Sequence, residues 1–214
     1  MSQETFLPPC QLYLITPPAI PDLEAFGKDL EAALSAGPVA CVQLRLKDVD
    51  DATILDAAAH LMPICHDHEV AFLINDRADL ALAADADGVH LGQADGTVES
   101  ARKMLGMDRE IGVTCHGSLH LAYEAGEAGA NYVAFGAFFD TDTKQTEHRA
   151  DLELLTTWDE VTEIPCVAIG GIKPEHAKTL ADAGAHFIAV CSGVWGHPKG
   201  PAAAVKEYVA ALEG

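Results

Sequence analysis

In the segment VQLRLKD, three polar residues, Gln43, Arg45 and Lys47, alternate with apolar ones. In extended chain a spacing of two turns all three toward one side. Two cations crowded onto one face are costly unless an anion meets them, so the segment predicts an anionic ligand. Farther along, Asn75, Asp76 and Arg77 close the apolar run VAFLIN, and Asp95 stands in GQAD directly after GVHL. Neighbouring carboxylates are hard oxygen ligands of the kind Mg²⁺ takes, with waters and substrate phosphates completing the octahedron. Such a pair could also serve as the acid and base of glycoside hydrolysis. Cations as near as Arg45 and Lys47 would keep both acids ionised, which disfavours a protonated general acid. The glycine-bearing turns IGGI (residues 169–172) and AVCSGV (residues 189–194) suit a phosphate. Thr141, Thr143 and Lys144, inside the long polar stretch of residues 137–151, offer hydroxyl and ammonium donors to a second phosphorylated group, as a lid would. No Ser-His-Asp or Cys-His arrangement suggests a nucleophile.

The elements that must position these groups are legible as well. Eight short apolar runs, QLYLIT, ACVQLRL, VAFLIN, GVHL, IGVTC, YVAFG, CVAIGG and FIAVCSG, begin near residues 11, 40, 70, 88, 111, 132, 166 and 187. Near-continuous apolar character predicts parallel strands buried on both faces. Between them lie helical stripes, such as Leu23, Phe26, Leu30 and Leu34, then Ile54, Ala58, Leu61, Met62 and Cys65, and finally Val205, Tyr208, Val209 and Leu212. Gly37, Gly129 and Gly184 are placed to close helices. Eight strands alternating with eight helices predict an α/β fold, a compact (β/α)₈ TIM barrel forming a single domain over residues 1–214. The competing doubly wound sheet would normally carry GxGxxG after its first strand, and none is present. In a barrel the active site lies at the carboxyl ends of the strands, and each polar group above follows a predicted strand.

Composition narrows the function classes. Thirteen Lys and Arg against 33 Asp and Glu give a formal charge of −20, which argues against a nucleic-acid partner. Hydrophobic residues at 49% and charged residues at 21% are those of a folded globular chain. No run approaches ~20 apolar residues, so no transmembrane helix is expected. The opening MSQETFLPPCQLYLIT lacks a basic region and is broken by Pro8 and Pro9, so no targeting segment is expected either. The six cysteines are scattered through apolar runs, which predicts buried free thiols rather than zinc or disulfides, and with them a reducing cytoplasm. His60, His66, His68, His176 and His197 read as solvated, His90 as an interior imidazole, and His116 as a residue near the barrel mouth. Phe135, Phe138 and Phe139 read as core and lid packing.

Taken in order, the motifs resemble those of the thiamine phosphate synthase family over nearly the whole chain. VQLRLKD resembles that family's Gln-x-Arg-x-Lys segment, which implies diphosphate binding by Gln43, Arg45 and Lys47. LINDRADLAL with ADGVHLGQAD is similar to its most specific signature, implying diphosphate contact at Asn75 and Mg²⁺ at Asp76 and Asp95. GVTCH implies a substrate hydroxyl contact at Thr114. The lid-like YVAFGAFFDTDTK implies Thr141 and Thr143 facing a thiazole phosphate and Lys144 facing the diphosphate. Thiazole-phosphate contacts would fall on Gly171, Cys191 and Ser192, and catalytic roles on Lys144, Thr114 and Arg45. The resemblance implies a Mg²⁺-dependent transferase that joins a hydroxymethylpyrimidine diphosphate to a thiazole phosphate by a dissociative mechanism. Its partners would be these small molecules, with no nucleic acid and no membrane, and a homo-oligomer is left open. Two positions depart from the pattern. Asp140 stands where the lid usually carries Pro, and Leu46 replaces a commonly acidic residue. The Asp140 carboxylate is expected to oppose lid closure over an anionic substrate, or else to point to solvent or pair with Arg149, where that penalty largely disappears. Alternatives are a related thiazole tautomerase using His116 as acid/base, and a non-catalytic thiazole or thiamine phosphate-binding protein.

Overall fold

The computed structural model of the chain describes residues 10–140 and 149–214. Its strands are β1 (Gln11–Ile15), β2 (Val39–Leu44), β3 (Ala71–Asn75), β4 (Gly88–Leu91), β5 (Glu110–His116), β6 (Tyr132–Phe135), β7 (Cys166–Ile169) and β8 (Phe187–Val190). They lie parallel in sequence order and close on themselves, with Gln11 opposite Phe187 joining β1 to β8. The expected TIM barrel is therefore the fold, and the closing β1–β8 ladder excludes an open doubly wound sheet.

Period-two alternation divides each strand between two layers. Tyr13, Ile15, Cys41, Leu73, Tyr132, Ala134, Val167 and Ala189 fill the barrel interior. Their neighbours in sequence, among them Leu12, Leu14, Val42, Leu44, Phe72, Ile74, Val133 and Ile188, pack outward beneath the helices. Those helices are α1 (Leu23–Leu34), α2 (Asp51–Asp67), α3 (Ala78–Ala83), α4 (Val98–Leu105), α5 (Leu119–Glu127), α6 (Leu152–Val161), α7 (Pro174–Asp182), α8 (Ser192–Trp195) and α9 (Pro201–Glu213). The expected stripes face inward: Phe26, Leu30 and Leu34 are buried on α1, Ala58, Leu61 and Cys65 on α2, and Val205 and Tyr208 on α9. Side-chain caps start several helices, with Asp22 accepting from the Ala25 N–H and Asp50 from the Thr53 N–H, both at 2.9 Å.

Two details differ from expectation. The eighth unit carries two helices: α8 ends at Trp195, and Gly200 at φ 85° leads into Pro201 at the start of α9. Gly129 and Gly184 adopt the left-handed φ expected after a helix, at 96° and 105°. Gly37 does not, because α1 already ends at Leu34 with Ser35 as its cap. All six cysteines are free, and burial pushes the Cys10, Cys65, Cys115 and Cys166 thiols up to about 12. Among the described residues no helix is long and apolar enough to cross a membrane.

Candidate active site

At the carboxyl ends of the strands the barrel opens into a cavity of about 390 Å³. Gln43, Arg45, Lys47, Asn75, Asp76, Asp95, Thr114, Gly171, Cys191 and Ser192 all line it. The expected row on β2 is split. Gln43 lies within the strand and is only 3% exposed, whereas Arg45 and Lys47 follow its last residue, Leu44. Contacts from the chain after β1 hold them: the Arg45 N–H donates to Thr16 Oγ1 at 2.9 Å and the Lys47 N–H to the Pro18 carbonyl at 3.0 Å.

Asn75 ends β3 and accepts a hydrogen bond from the Gln43 amide. Asp76 follows at φ 65°, a conformation Asp tolerates better than most residues, and its N–H donates to the His90 carbonyl at 2.7 Å. That turn brings Asp76 Oδ2 to 2.5 Å from Lys47 Nζ. Arg77 instead turns away to the carboxylates of Asp51 and Asp79, both at 2.7 Å. Asp95 arrives on the loop after β4 and lies against Asp76 across Gly92, where any Cβ would run into the Asp95 carboxylate. Partial desolvation of an otherwise exposed carboxylate, then the neighbouring Asp76, push Asp95 up from its ordinary value, and Lys47 only partly opposes them. Lys47 thus pairs with Asp76 and compensates Asp95 less completely.

Thr114 on β5 bonds His90 Nε2 at 2.8 Å. A bulge follows, shifting the β5–β6 register between Thr114 and His116, so His116 also reaches the cavity, at φ 53°. On the opposite side the β7 turn passes beneath residues 138–140. Gly171 sits at φ 62° where a Cβ would strike the Asp140 carbonyl, and the Phe139 N–H donates to the Gly170 carbonyl at 3.0 Å. Such a turn requires glycine. The Cys191 thiol donates to the Thr16 carbonyl at 3.5 Å; burial raises its pKa and Arg45 opposes that rise. Asp140 forms an ion pair with Arg149. Thr141, Thr143 and Lys144 lie outside the described residues.

The sequence did not single out Thr16, Tyr13 or Tyr132. Thr16 is fully buried and fixes Arg45; the two tyrosines extend polar contacts beneath the cavity floor. A tyrosine at an inward strand position was the available signal, because a buried phenol needs a hydrogen-bond partner. The histidines away from the mouth are not simply solvated. His66, His68 and His197 meet Asp87, Glu31 and Glu207 at 2.9, 2.9 and 3.3 Å, and His176 stacks on Phe139 at 3.7 Å.

This fold and mouth define a TIM-barrel enzyme acting on small molecules. The family model for thiamine monophosphate synthase matches residues 12–194. A thiamine-phosphate synthase of Rhodospirillum centenum is 57% identical, covering 96% of this chain and 99% of that protein. Another from Hyphomonas neptunium is 51% identical over 96% and 95%. Among solved structures, thiamine phosphate pyrophosphorylase of Pyrococcus furiosus superposes with a TM-score of 0.82 at 32% identity, covering 95% of each chain. The chain belongs to the thiamine monophosphate synthase family.

Proposed function

We propose that this chain, as a single barrel domain, condenses 4-amino-5-hydroxymethyl-2-methylpyrimidine diphosphate with a thiazole phosphate at this mouth, giving thiamine phosphate and diphosphate. One observation carries the reading at residue level. A single cavity collects the strand-end cations, the carboxylate pair and the glycine turn. Arg45, Lys47 and the Asn75 amide would bind the diphosphate, with Lys144 contributing a further cation. Gly171, Cys191 and Ser192 would receive the thiazole phosphate, together with Thr141 and Thr143.

Asp76 and Asp95 would hold Mg²⁺. The fit rests on their charge: two adjacent carboxylates share one nearby ammonium, and the less compensated one, Asp95, has its pKa raised. Among the described residues no third His, Cys, Asp or Glu joins them, which suits an ion that keeps waters and substrate phosphates. When bound, Mg²⁺ supplies positive charge to the departing diphosphate.

The bond between the pyrimidine methylene and the diphosphate oxygen breaks heterolytically, and its electron pair leaves with the diphosphate. Arg45 stabilises that developing charge, a preorganised electrostatic role. The thiazole nitrogen lone pair then forms the new bond to the methylene carbon. No proton has to move before that bond forms, so His116 has no obligatory task in spite of its place in the cavity. Closure of the mouth would keep water from capturing the pyrimidine cation. The free thiols support a reducing compartment, the cytoplasm.

The test is incubation of purified protein with both substrates and Mg²⁺, with thiamine phosphate read by chromatography. Binding without diphosphate release would indicate a binding protein, and isomerisation of a thiazole carboxylate phosphate alone would indicate a tautomerase.

A further inference from the structure

Beneath the cavity runs a hydrogen-bonded chain of six side chains: Asn75, Gln43, Tyr13, Tyr132, His90 and Thr114. Its two ends line the mouth, whereas Tyr13 and Tyr132 lie below it, 3% and 8% exposed. Counting hydrogens gives the chain a direction. Gln43 Nε2 donates to Asn75 Oδ1, and the Gln43 carbonyl oxygen accepts from the Tyr13 hydroxyl at 2.8 Å. Burial pushes both phenols up, so each keeps its single proton. Tyr13 has spent its proton on Gln43; Tyr132 must therefore donate to the Tyr13 oxygen, at 2.9 Å. Tyr132 can then only accept from His90 Nδ1, also at 2.9 Å, which places a hydrogen on Nδ1. In the neutral imidazole Nε2 is left as acceptor, and the Thr114 hydroxyl donates to it at 2.8 Å. Cys41, the other polar neighbour of Tyr13, keeps its proton through burial and as a thiol is a weak acceptor, so it does not divert the chain.

The two ends are thereby set together. Asn75 offers its amide N–H₂, a donor suited to a diphosphate, and Thr114 offers only lone pairs, which accept an N–H of the substrate. The reversed direction would also close, but it would turn the Asn75 carbonyl oxygen toward an anion.

We propose that Tyr13 and Tyr132 are positioning residues of this reaction, transmitting one donor direction from Asn75 to Thr114 so that both polar ends of the mouth are ordered before substrate arrives. The inference rests on the condensation reading for its substrates, but the chain can be tested without them.

The first measurement is the ¹⁵N spectrum of histidine-labelled protein. His90 is expected as the Nδ1–H tautomer, and a wild-type Nε2–H tautomer would overturn the chain whatever the activity. The second is a double-mutant cycle on kcat/KM for the pyrimidine diphosphate, using Tyr132→Phe, Thr114→Ala and the pair. A single charge-neutral hydrogen bond predicts about a tenfold loss for Tyr132→Phe, with KM for the thiazole phosphate unchanged. In the Thr114→Ala background the same substitution is expected to cost less than about twofold, because coupled residues are non-additive. Losses that multiply would show a merely structural role and end the proposal. Tyr13→Phe supplies the same cycle should Tyr132→Phe melt early. Wild-type protein that makes no thiamine phosphate would instead sink the functional reading, and the tautomer would still judge the chain.

Discussion

Replacing Asp95 with Asn should move activity and stability in opposite directions. In the metal-free protein Asp95 lies against Asp76, while Lys47, at 2.5 Å, is committed to Asp76. Two like charges ~5 Å apart repel by about 3 kcal/mol at an effective dielectric near 20. Asp95 is open to water, which screens most of that and leaves roughly 0.5–1 kcal/mol. Asp95→Asn removes the repulsion, so the metal-free variant should melt roughly 1–4 °C above wild type for a chain of this size. The same change removes half of the carboxylate pair that would hold Mg²⁺. Turnover should therefore fall at least ~100-fold, or about 2.7 kcal/mol of transition-state stabilisation. Asp76→Ala should cost activity similarly but without the gain in melting temperature, because it removes the same repulsion together with the Lys47 ion pair and puts alanine at φ 65°. The assays are thermal melts in chelator, melts with Mg²⁺ and diphosphate, and steady-state kinetics. Wild type should gain stability from Mg²⁺ and diphosphate and Asp95→Asn should not. Near-normal turnover by both variants with intact folds would refute the metal assignment.

Other outcomes follow from the same geometry. His116→Ala should stay within about tenfold of wild type in the coupling assay, since a general base normally contributes ~10²-fold or more; complete loss would restore a proton-transfer role. Asp140→Asn should leave the Michaelis constant for the pyrimidine diphosphate unchanged across ionic strength, because Arg149 already neutralises Asp140; a lower constant at low salt would show that the carboxylate opposes closure. Stability should decline steeply in alkali. Cys65, Cys115 and Cys166 titrate at about 12 in the fold but near 9.0 when unfolded, so above pH 9 the unfolded chain binds fewer protons and gains relative to the native one. The stability contribution is complete below pH 9, and about 1.4 kcal/mol per thiol is lost by pH 10; urea melts at pH 8 and 10 measure this, and equal midpoints would contradict buried thiols.

The strands were legible because burial on both faces leaves unmistakable apolar runs, and QLYLIT, GVHL and FIAVCSG fall on β1, β4 and β8. Helix α8 was not, since four residues between Cys191 and Gly196 are too few for any periodicity to register. Residues next to a strand end could be assigned to the mouth without knowing the loops, as Asn75, Asp76 and Thr114 show. Asp95 was reached in the same way, from its place after GVHL, although its approach depends on a Gly92 whose missing side chain makes room for it. Tyr13 and Tyr132 escaped notice for a different reason. Inward tyrosines read as interior filling until their partners are known, and the tyrosines and those partners stand on four different strands that only the barrel brings together. The sequence left Asp140 to oppose closure, to point to solvent or to pair with Arg149, and in the fold it pairs with Arg149, nine residues on, while remaining open to solvent.

A chain with a formal charge of −20 that is to bind phosphorylated substrates has to separate its local from its overall electrostatics. Part of its cationic charge is spent on neighbouring acids: Arg77 on Asp51 and Asp79, Arg109 on Asp85, Arg149 on Asp140, and Lys178 on Asp182. Exposed pairs such as Arg77–Asp51 and Lys178–Asp182 contribute little to stability, but they engage those cations with acids rather than with a ligand. Arg45 stands in the cavity wall, fixed by a buried threonine, with Lys47 beside the acid pair. Beyond a Debye length of about 8–10 Å the acidic surface is screened at physiological salt. Within that distance low-dielectric walls strengthen whatever charges they enclose. Affinity for an anion is therefore decided by the few groups the barrel gathers at its mouth, and a divalent cation on the carboxylate pair would turn the most acidic part of that mouth into a further anion contact.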